Sequence, residues 1–273
     1  MRSVLTIAGF DPSSGAGVTA DLMVFAAHGL FGTSAITNLT VQSTVGVDSS
    51  HAVEPELVAM TLAFLDADLP PAGIKIGALG TAWVVEAVAL YLEAVREAGG
   101  RVPVVLDPVI RSSAGRELLE ARAVPLLRER LLPLVDWVTP NLEELALLTG
   151  RPVSTRGEMS AAAELLQMDI ADRGGRVHVL AKGGHLEAPD DFLLTSAGEG
   201  HWLAGIRVET RATHGTGCAL SSAVLSRVVL GDAPAVAAAT AKRYVVEAMR
   251  RASPMGRGHG PMELLWPLRT HGG

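Results

Sequence analysis

The only cysteine of the chain, Cys218, stands near the start of a predicted helix in the segment HGTGCALSSAVLSRVVLG. Glycines let a ligand approach the backbone closely, and the unpaired N–H groups and positive dipole end of a helix start favour a phosphate. The same field lowers the pKa of a thiol in the first turn. Gly215, Thr216, Gly217 and Cys218 are therefore predicted to bind a phosphoryl group beside a titratable thiol. The alternative for Cys218 is an inert buried thiol.

Oxygen-bearing side chains follow two other apolar runs. Asp107 ends the run VVLD before Pro108, and Asn141 and Glu144 open the helix-like segment NLEELALLTG. Such oxygens suit Mg²⁺, which keeps most of its waters and bridges phosphates, so Asp107 and Glu144 are candidate ligands, Glu144 through water. Asn141 and Glu144 equally match a helix N-cap with its capping-box acid, and Asp107 matches a turn before proline.

Two further polar residues stand at predicted strand ends. Lys182, in LAKGGH, is placed to bind a nucleotide phosphate, although it could equally be a solvated loop lysine. Gln42 follows a predicted strand over Thr33–Thr40. Its amide could read the edge of a heterocycle, or it could simply satisfy backbone groups.

The segment TIAGFDPSSGAGVTAD near the N-terminus places a glycine-rich turn between a predicted strand and a predicted helix. Gly15–Ala20 matches the dinucleotide pattern G-x-G-x-x-A, but residues 22–47 lack the acidic residue that this site needs. We therefore interpret the turn as a backbone-lined pocket for a small substrate, with close strand–helix packing as the alternative.

Composition and missing motifs exclude several classes of protein. The chain is 48% apolar and 19% charged, which is typical of a globular protein, and its net charge of −6 argues against nucleic acid as a partner. Residues 22–47 carry no charge, yet polar residues interrupt them throughout, so no membrane span is expected. P-loop, hydrolase-elbow, HExxH and paired-cysteine zinc motifs are absent from the sequence. One cysteine and no signal-peptide pattern predict a cytoplasmic protein.

Alternating short apolar runs and longer segments of helical period predict an α/β fold with a mostly parallel sheet, in a single domain over residues 1–273. The predicted parallel strands are Val4–Ala8, Thr33–Thr40, Gly73–Ile76, Val102–Leu106, Trp137–Thr139 and Val177–Ala181. Asp191–Thr195 and Trp202–Val208 are expected to add a small antiparallel edge. The predicted helices are Gly17–Gly29, Pro55–Asp66, Ala82–Glu97, Ala123–Leu131, Leu142–Leu148, Met159–Asp172, Cys218–Leu230 and Pro234–Arg251. Ligands of open α/β sheets lie beyond the carboxyl ends of the strands, where the polar residues above are found.

Taken in order, these motifs resemble the hydroxymethylpyrimidine/phosphomethylpyrimidine kinases of thiamine biosynthesis, a branch of the ribokinase-like superfamily. The similar segments include TIAGFDPSSGAGVTADL, GTSAITNLTVQSTVGV, KIGALG, VVLDPV, LLPLVDWVTPNLEELALLTG, LAKGGH, HGTGCALSSA and GRGHGP. The resemblance implies a three-layer α/β/α sandwich, a homodimer, and ATP with Mg²⁺ as cofactors. The expected reaction is phosphorylation of the hydroxymethyl group of 4-amino-5-hydroxymethyl-2-methylpyrimidine, of its monophosphate, or of both.

The resemblance also implies roles for individual residues. Cys218 occupies the place where other ribokinase-like enzymes carry an aspartate base. Asp107 and Glu144 match the magnesium region. The residues matching the nucleotide side are Lys182, Asn141 and Thr139. The residues matching the pyrimidine pocket are Gly9, Asp21, Gln42, Gly77 and Ala78.

Three departures from the family pattern bear on the substrate. Phe10 stands where serine is usual, Ala78 where methionine is usual, and Ser112–Gly115 where an Ala-Lys-Ser-Gly stretch is usual. Arg111 could replace the lost lysine, and residues 111–116 could form a lid. A pyridoxal or pyridoxine kinase is therefore an alternative, and a non-catalytic vitamin- or nucleotide-binding regulator is another, which the retained Cys218 argues against.

Overall fold

The computed structural model describes residues 1–112 and 115–269, and in these ranges nine strands form one sheet. The strands are β1 (Ser3–Phe10), β2 (Phe31–Ser43), β3 (Gly46–Ala52), β4 (Ile74–Ile76), β5 (Val104–Leu106), β6 (Trp137–Val138), β7 (His178–Ala181), β8 (Asp191–Leu194) and β9 (Gly200–Leu203). Their order across the sheet is β3-β2-β1-β4-β5-β6-β7-β8-β9. The run from β2 to β7 is parallel, whereas β3, β8 and β9 are joined by antiparallel pairing.

Helices cover both faces of this sheet. They are α1 (Gly17–Ala27), α2 (Pro55–Asp68), α3 (Ala82–Glu97), α4 (Ala123–Leu126), α5 (Leu142–Thr149), α6 (Arg156–Asp172), α7 (Thr216–Val229), α8 (Pro234–Arg250) and α9 (Trp266–Arg269). One apolar core lies under α2 to α6, and a second lies under α1, α7 and α8. The central strands β4 to β6 are buried along their whole length because both sheet faces are covered. The three-layer α/β/α prediction is confirmed.

Three elements differ between the prediction and the structure. The strand expected over Trp202–Val208 lies at Gly200–Leu203, so it starts two residues earlier and ends at Leu203. The helix expected over Ala123–Leu131 is α-helical only to Leu126, and continues as a π-helical turn over Leu127–Leu131. The antiparallel strand β3 was not predicted, because GVDSSHA is polar and no residue of β3 is fully buried. Pairing with β2, instead of burial of an apolar face, makes this segment a strand.

The topology brings the carboxyl ends of β1, β4, β5, β6 and β7 to one edge of the sheet, since these strands run parallel. α7 begins beside that edge and packs against β4 and β5. In the part of the chain that the structure describes, no helix has the length and apolar character needed to cross a bilayer.

Candidate active site

The first turn of α7 lies against the N-terminal glycine loop. Gly215, the residue before α7, adopts a left-handed conformation with φ of 75°, and a Cβ there would overlap the Gly15 carbonyl oxygen. Only glycine therefore lets the two loops pack backbone to backbone. The amides of Thr216, Gly217 and Cys218 lie in the first turn, where helical N–H groups have no intrahelical partner.

Asp11 and His214 hold these two loops together. The Asp11 carboxylate accepts hydrogen bonds from the amides of Ser13, Gly15 and Ala16, and His214 Nε2 lies 2.7 Å from Asp11 Oδ2. Burial raises the pKa of Asp11, but the bonds from His214 and Ser13 outweigh it and leave the pKa below its usual value. Sequence reasoning assigned no role to either residue, although His214 opens the HGTGC segment and Asp11 opens the loop.

Gln42 joins the same cluster from the end of β2. Its amide nitrogen lies 2.9 Å from His214 Nε2, and its amide oxygen accepts a hydrogen bond from Thr40. Gln42 is half-buried, so part of its side chain remains open to a ligand. The structure thus places the predicted heterocycle reader beside the predicted phosphoryl-binding turn.

Lys182 lies between two carboxylates on the other side of α7. Its Nζ donates to Asp107 Oδ1 at 2.7 Å and lies 3.8 Å from Glu144 Oε2. Thr139 also donates to Asp107, from its hydroxyl. A Cβ on Gly217 would lie 3.1 Å from Lys182 Nζ and 3.5 Å from Asp107 Oδ2. The ammonium, the carboxylates and the α7 amides therefore face one small space.

Lys182 and Glu144, which lie beside Asp107, both have perturbed pKa values. Burial lowers the pKa of Lys182, but Asp107 and Glu144 raise it above its usual value, so the ammonium stays charged. Burial raises the pKa of Glu144 to about 7, and Asp107 adds to the rise while Lys182 opposes it. Its burial therefore disfavours the charged form of Glu144, whereas Lys182 favours it.

Asn141 and Glu144 form a complete capping box at the start of α5. The Asn141 side chain accepts from the Glu144 amide, and Glu144 Oε2 accepts from the Asn141 amide. Asn141 is thus the N-cap of α5, as the N-x-x-E pattern predicts. Glu144 combines both sequence interpretations, because the oxygen that caps the helix also faces Lys182.

The prediction that Cys218 has a lowered pKa is wrong. Burial raises the pKa of the thiol to about 11, and Asp107 and Asp21 add to the rise. Lys75 and the Gly17 amide act in the opposite direction but do not overcome it. The field at the start of α7 does not overcome the loss of water around the half-buried Cys218.

Asp21, expected in the pyrimidine pocket, is fully buried and engaged by protein groups. Its carboxylate accepts from Lys75 Nζ at 2.8 Å, from Thr6 Oγ1 at 2.6 Å and from Ser222 Oγ at 2.7 Å. It cannot touch a ligand from this position without rearrangement. Sequence reasoning missed Lys75, because a lysine inside the apolar run IKI gives no signal of its buried partner.

The remaining pocket residues lie at the ends of β1 and β4. A Cβ on Gly9 would overlap the side-chain amide of Asn38, and one on Gly77 would lie 2.8 Å from Lys75 Nζ. The Ala78 carbonyl accepts from Thr37 Oγ1 at 2.5 Å. Gly9 and Gly77 are therefore sites of close backbone packing at the predicted substrate edge.

The lid candidate falls partly outside the described residues, which exclude Ser113 and Ala114. On either side of them, the Ser112 amide donates to the Arg116 carbonyl at 2.7 Å, and the backbones of Arg111 and Glu117 form an isolated antiparallel bridge. The roles of Arg111 and of residues 111–116 stay predictions.

Comparison with known proteins adds family evidence to this geometry. A family model described as phosphomethylpyrimidine kinase matches residues 11–263. The hydroxymethylpyrimidine/phosphomethylpyrimidine kinase of Haemophilus influenzae is 38% identical over 266 residues, which cover 96% of each chain. The thiamine biosynthesis bifunctional protein ThiED of Geobacter sulfurreducens is 41% identical over 261 residues, or 95% of this chain. The chain spans about half of that relative, 51% of its length.

Two solved structures have the same fold. The ADP complex of Bacillus subtilis pyridoxal kinase superposes with a TM-score of 0.84 at 28% identity, covering 99% of both chains. The phosphomethylpyrimidine kinase of Clostridium difficile superposes with a TM-score of 0.75 at 32% identity, covering 91% of this chain and 99% of that chain. The ribokinase-like fold and the family resemblance are confirmed. With the family match over nearly its whole length and relatives of this identity, the chain belongs to the phosphomethylpyrimidine kinase family.

Proposed function

We propose that the protein transfers the γ-phosphoryl group of ATP to the hydroxymethyl group of 4-amino-5-hydroxymethyl-2-methylpyrimidine, to its monophosphate, or to both, in thiamine biosynthesis. The family makes the chain a phosphotransferase. The observation that supports this substrate is the contact between Gln42 and His214, whose Nε2 lies 2.9 Å from the Gln42 amide nitrogen. His214 stands two residues before α7 begins. The residue proposed to read the heterocycle would thereby share one site with the turn proposed to bind the phosphoryl group.

The residues of the phosphate side would supply positioning and charge, which is most of what phosphoryl transfer needs. The α7 amides of Thr216, Gly217 and Cys218 would face the transferring phosphoryl group. Lys182 would leave its ion pair with Asp107 and bind that phosphoryl group instead. A donor of this kind is worth about 3 kcal/mol of barrier. Cys218 would accept the proton of the attacking hydroxyl through its thiolate.

Magnesium fits the two carboxylates that face Lys182. Asp107 and Glu144 approach the same ammonium at 2.7 and 3.8 Å, and within the described residues no three acidic, histidine or cysteine side chains form a metal cluster. Such a pair suits an ion that keeps its waters and arrives with a polyphosphate. Bound there, Mg²⁺ would neutralise polyphosphate charge, with Asp107 and Glu144 holding it, Glu144 through water.

On the acceptor side, we propose that Gln42 reads the pyrimidine edge while the backbones of Gly9, Gly77 and Ala78 line the ring. Their support is their place at the ends of β1 and β4, next to α7. On the nucleotide side, we propose that Thr139 and Asn141 contribute to binding beside Lys182. Thr139 would orient Asp107 through its hydroxyl hydrogen bond. Asp21 would act from below the pocket, as its burial requires.

Pyridoxal phosphorylation is the second candidate. The observation favouring it is the TM-score of 0.84 to a pyridoxal kinase, together with Phe10 and Ala78 at the pocket. A large ring gained at Phe10 and a smaller side chain at Ala78 would change the shape that the acceptor meets.

The test measures ATP consumption with Mg²⁺ and three acceptors in parallel: hydroxymethylpyrimidine, its monophosphate and pyridoxal. Turnover on the pyrimidines with slow turnover on pyridoxal supports the main proposal, and a preference for pyridoxal supports the second. No turnover on any of the three contradicts both. Cys218→Ser should keep the fold and ATP binding but lose most turnover, and wild-type turnover in that variant would remove Cys218 from the base role.

We also propose a single-domain, cytoplasmic homodimer. All strands of the described residues belong to one sheet, and ATP, the proposed donor, is supplied in the cytoplasm. The outer face of α2 carries Leu57, Met60 and Phe64 at 56, 68 and 84% exposure, an apolar stripe that a second copy could cover. Light scattering should give a dimer mass for the wild type and a monomer mass for Phe64→Glu.

A further inference from the structure

Lys75 is a buried lysine whose ion pair is not explained by stability. Lys75 and Asp21 are both fully buried, and Lys75 Nζ lies 2.8 Å from Asp21 Oδ2. Removing two charges from water costs several kcal/mol per ion, and apolar residues of the same volume are often equally stable in such places. Burying Lys75 and Asp21 carries a desolvation cost that apolar side chains at these two positions would not have. We therefore look for a role of the two charges in the groups around them.

The pair contacts α7 one helical turn after Cys218. Ser222, which donates to Asp21 Oδ1 at 2.7 Å, stands four residues after Cys218 and so on the same helix face. Thr6 lies opposite Lys75 in the register of β1 and β4 and donates to the same carboxylate. A Cβ on Gly77 would lie 2.8 Å from Lys75 Nζ, which places the ammonium at the sheet edge that holds the site.

Four charged groups on the surrounding elements act electrostatically on the Cys218 thiol. Lys75 on β4 favours the thiolate, whereas Asp21 on α1 and Asp107 after β5 oppose it. Lys182 after β7 also interacts with Cys218, but its ammonium is held by Asp107 at 2.7 Å. Both ammonium groups are ion-paired, Lys182 with Asp107 and Lys75 with Asp21, but Lys75 is the cation that most favours the Cys218 thiolate.

We propose that Lys75 is a positioning residue that keeps a fixed positive charge beneath Cys218 and favours the thiolate which accepts the substrate proton. Asp21, Thr6 and Ser222 hold the Lys75–Asp21 pair in place, and Asp21 moderates its charge. The inference rests on the proposed role of Cys218 as the base. It concerns an ion pair that never touches the substrate.

The test follows alkylation of Cys218 by iodoacetamide between pH 7 and 9.5, without substrate. Cys218 is the only thiol in the sequence, so the label reports one site. Because alkylation follows the thiolate, Lys75→Met should slow it about tenfold for each unit that the pKa rises. Asp21→Asn should speed it, since the carboxylate opposing the thiolate is lost. The double variant Lys75→Met/Asp21→Asn should lie between the two single variants.

The opposite signs separate this electrostatic role from loosened packing. Loosening alone would expose the sulfur and speed alkylation in both single variants, and that result would overturn the proposal. Equal rates in wild type and both variants would overturn it too. Lys242→Met is the matched control: it breaks another buried pair, Lys242–Asp191 at 2.7 Å, whose residues are not among the groups acting on Cys218. The double variant, which buries no lone charge, keeps the comparison available if a single variant fails to fold.

Turnover of the same variants distinguishes this proposal from the proposed function. If Cys218 is the base, Lys75→Met lowers kcat and leaves the KM for ATP near its wild-type value. If the alkylation rate changes but kcat does not, the electrostatic effect of Lys75 on Cys218 is supported and the role of Cys218 as the base is rejected. Unshifted alkylation in an enzyme that depends on Cys218 would reject only the role of Lys75.

Discussion

His214 Nε2 lies 2.7 Å from Asp11 Oδ2, although the two residues are 203 positions apart. This contact closes the N-terminal glycine loop onto the loop that starts α7. Both loops are rich in glycine and would be mobile by themselves, so the contact holds in place the amides proposed to bind the phosphoryl group.

Replacing Asp11 should therefore cost activity more than its distance from Cys218 suggests. Asp11→Ala removes the acceptor for the amides of Gly15 and Ala16 and for His214, at about 1–3 kcal/mol for each buried group left unpaired. We expect kcat/KM to fall at least about tenfold, with a lower Tm. Ser13→Ala, which removes one hydroxyl bond to Asp11, is the control and should stay near wild type in steady-state kinetics.

The raised pKa of Cys218 gives turnover a definite pH dependence. Because burial raises the thiol pKa to about 11, the thiolate fraction of the free enzyme increases across the neutral and alkaline range. If the thiolate is the base, kcat/KM should rise with pH from about 7 to 9. A profile that is flat over that range, measured with the preferred acceptor, would contradict the base role.

Gly217→Ala should separate stability from activity. Alanine stabilises a helical position by about 0.5 kcal/mol relative to glycine, but here its Cβ would lie 3.1 Å from Lys182 Nζ, in the space proposed for the phosphoryl group. We expect an equal or higher Tm and a large loss of kcat. The matched control is Gly157→Ala, also the second residue of its helix, with open space around the new Cβ. It should raise Tm without loss of kcat; a loss there would point to a general effect of alanine.

Lys182 should contribute through its charge and its compact head group. Lys182→Met removes the cation that Asp107 and Glu144 hold, and we expect kcat to fall by about a hundredfold or more. Lys182→Arg keeps the charge but presents a planar fork in a space fitted to an ammonium, so it should recover only part of the loss. Full activity of Lys182→Met in the ATP-consumption assay would remove Lys182 from the transfer step.

His178 should make the fold sensitive to acid. Burial, and to a smaller extent Arg176, lowers the pKa of His178 to about 4, whereas the unfolded value is 6.5. Between these two pH values His178 is protonated in the unfolded chain but neutral in the native chain. The free energy of unfolding therefore decreases as the pH falls from 6.5 towards 4. Urea midpoints at pH 7 and 5 should differ less in His178→Gln than in wild type. Gln can still accept from the Ser196 amide, which donates to His178 Nδ1 at 3.0 Å.

Local sequence determined the fold class and most elements of this protein. Apolar runs such as β5 and β7 and amphipathic helices such as α3 are fixed by periodicity, because burial of an apolar face needs no detailed knowledge of the partner. The same reasoning located Lys182, Asp107 and Gln42, since parallel strands bring their carboxyl ends to one edge. β3 escaped it, because a polar strand forms through pairing with β2.

Only the tertiary structure decided the electrostatics of the site. A sequence shows that Cys218 starts a helix, but not that burial and Asp107 outweigh that helix field. It shows Asp21 beside a glycine loop, but not that Lys75, 54 positions away, occupies its carboxylate. Desolvation and charge–charge energies depend on distances between segments far apart in the chain, and these distances exist only once the sheet and α7 are assembled.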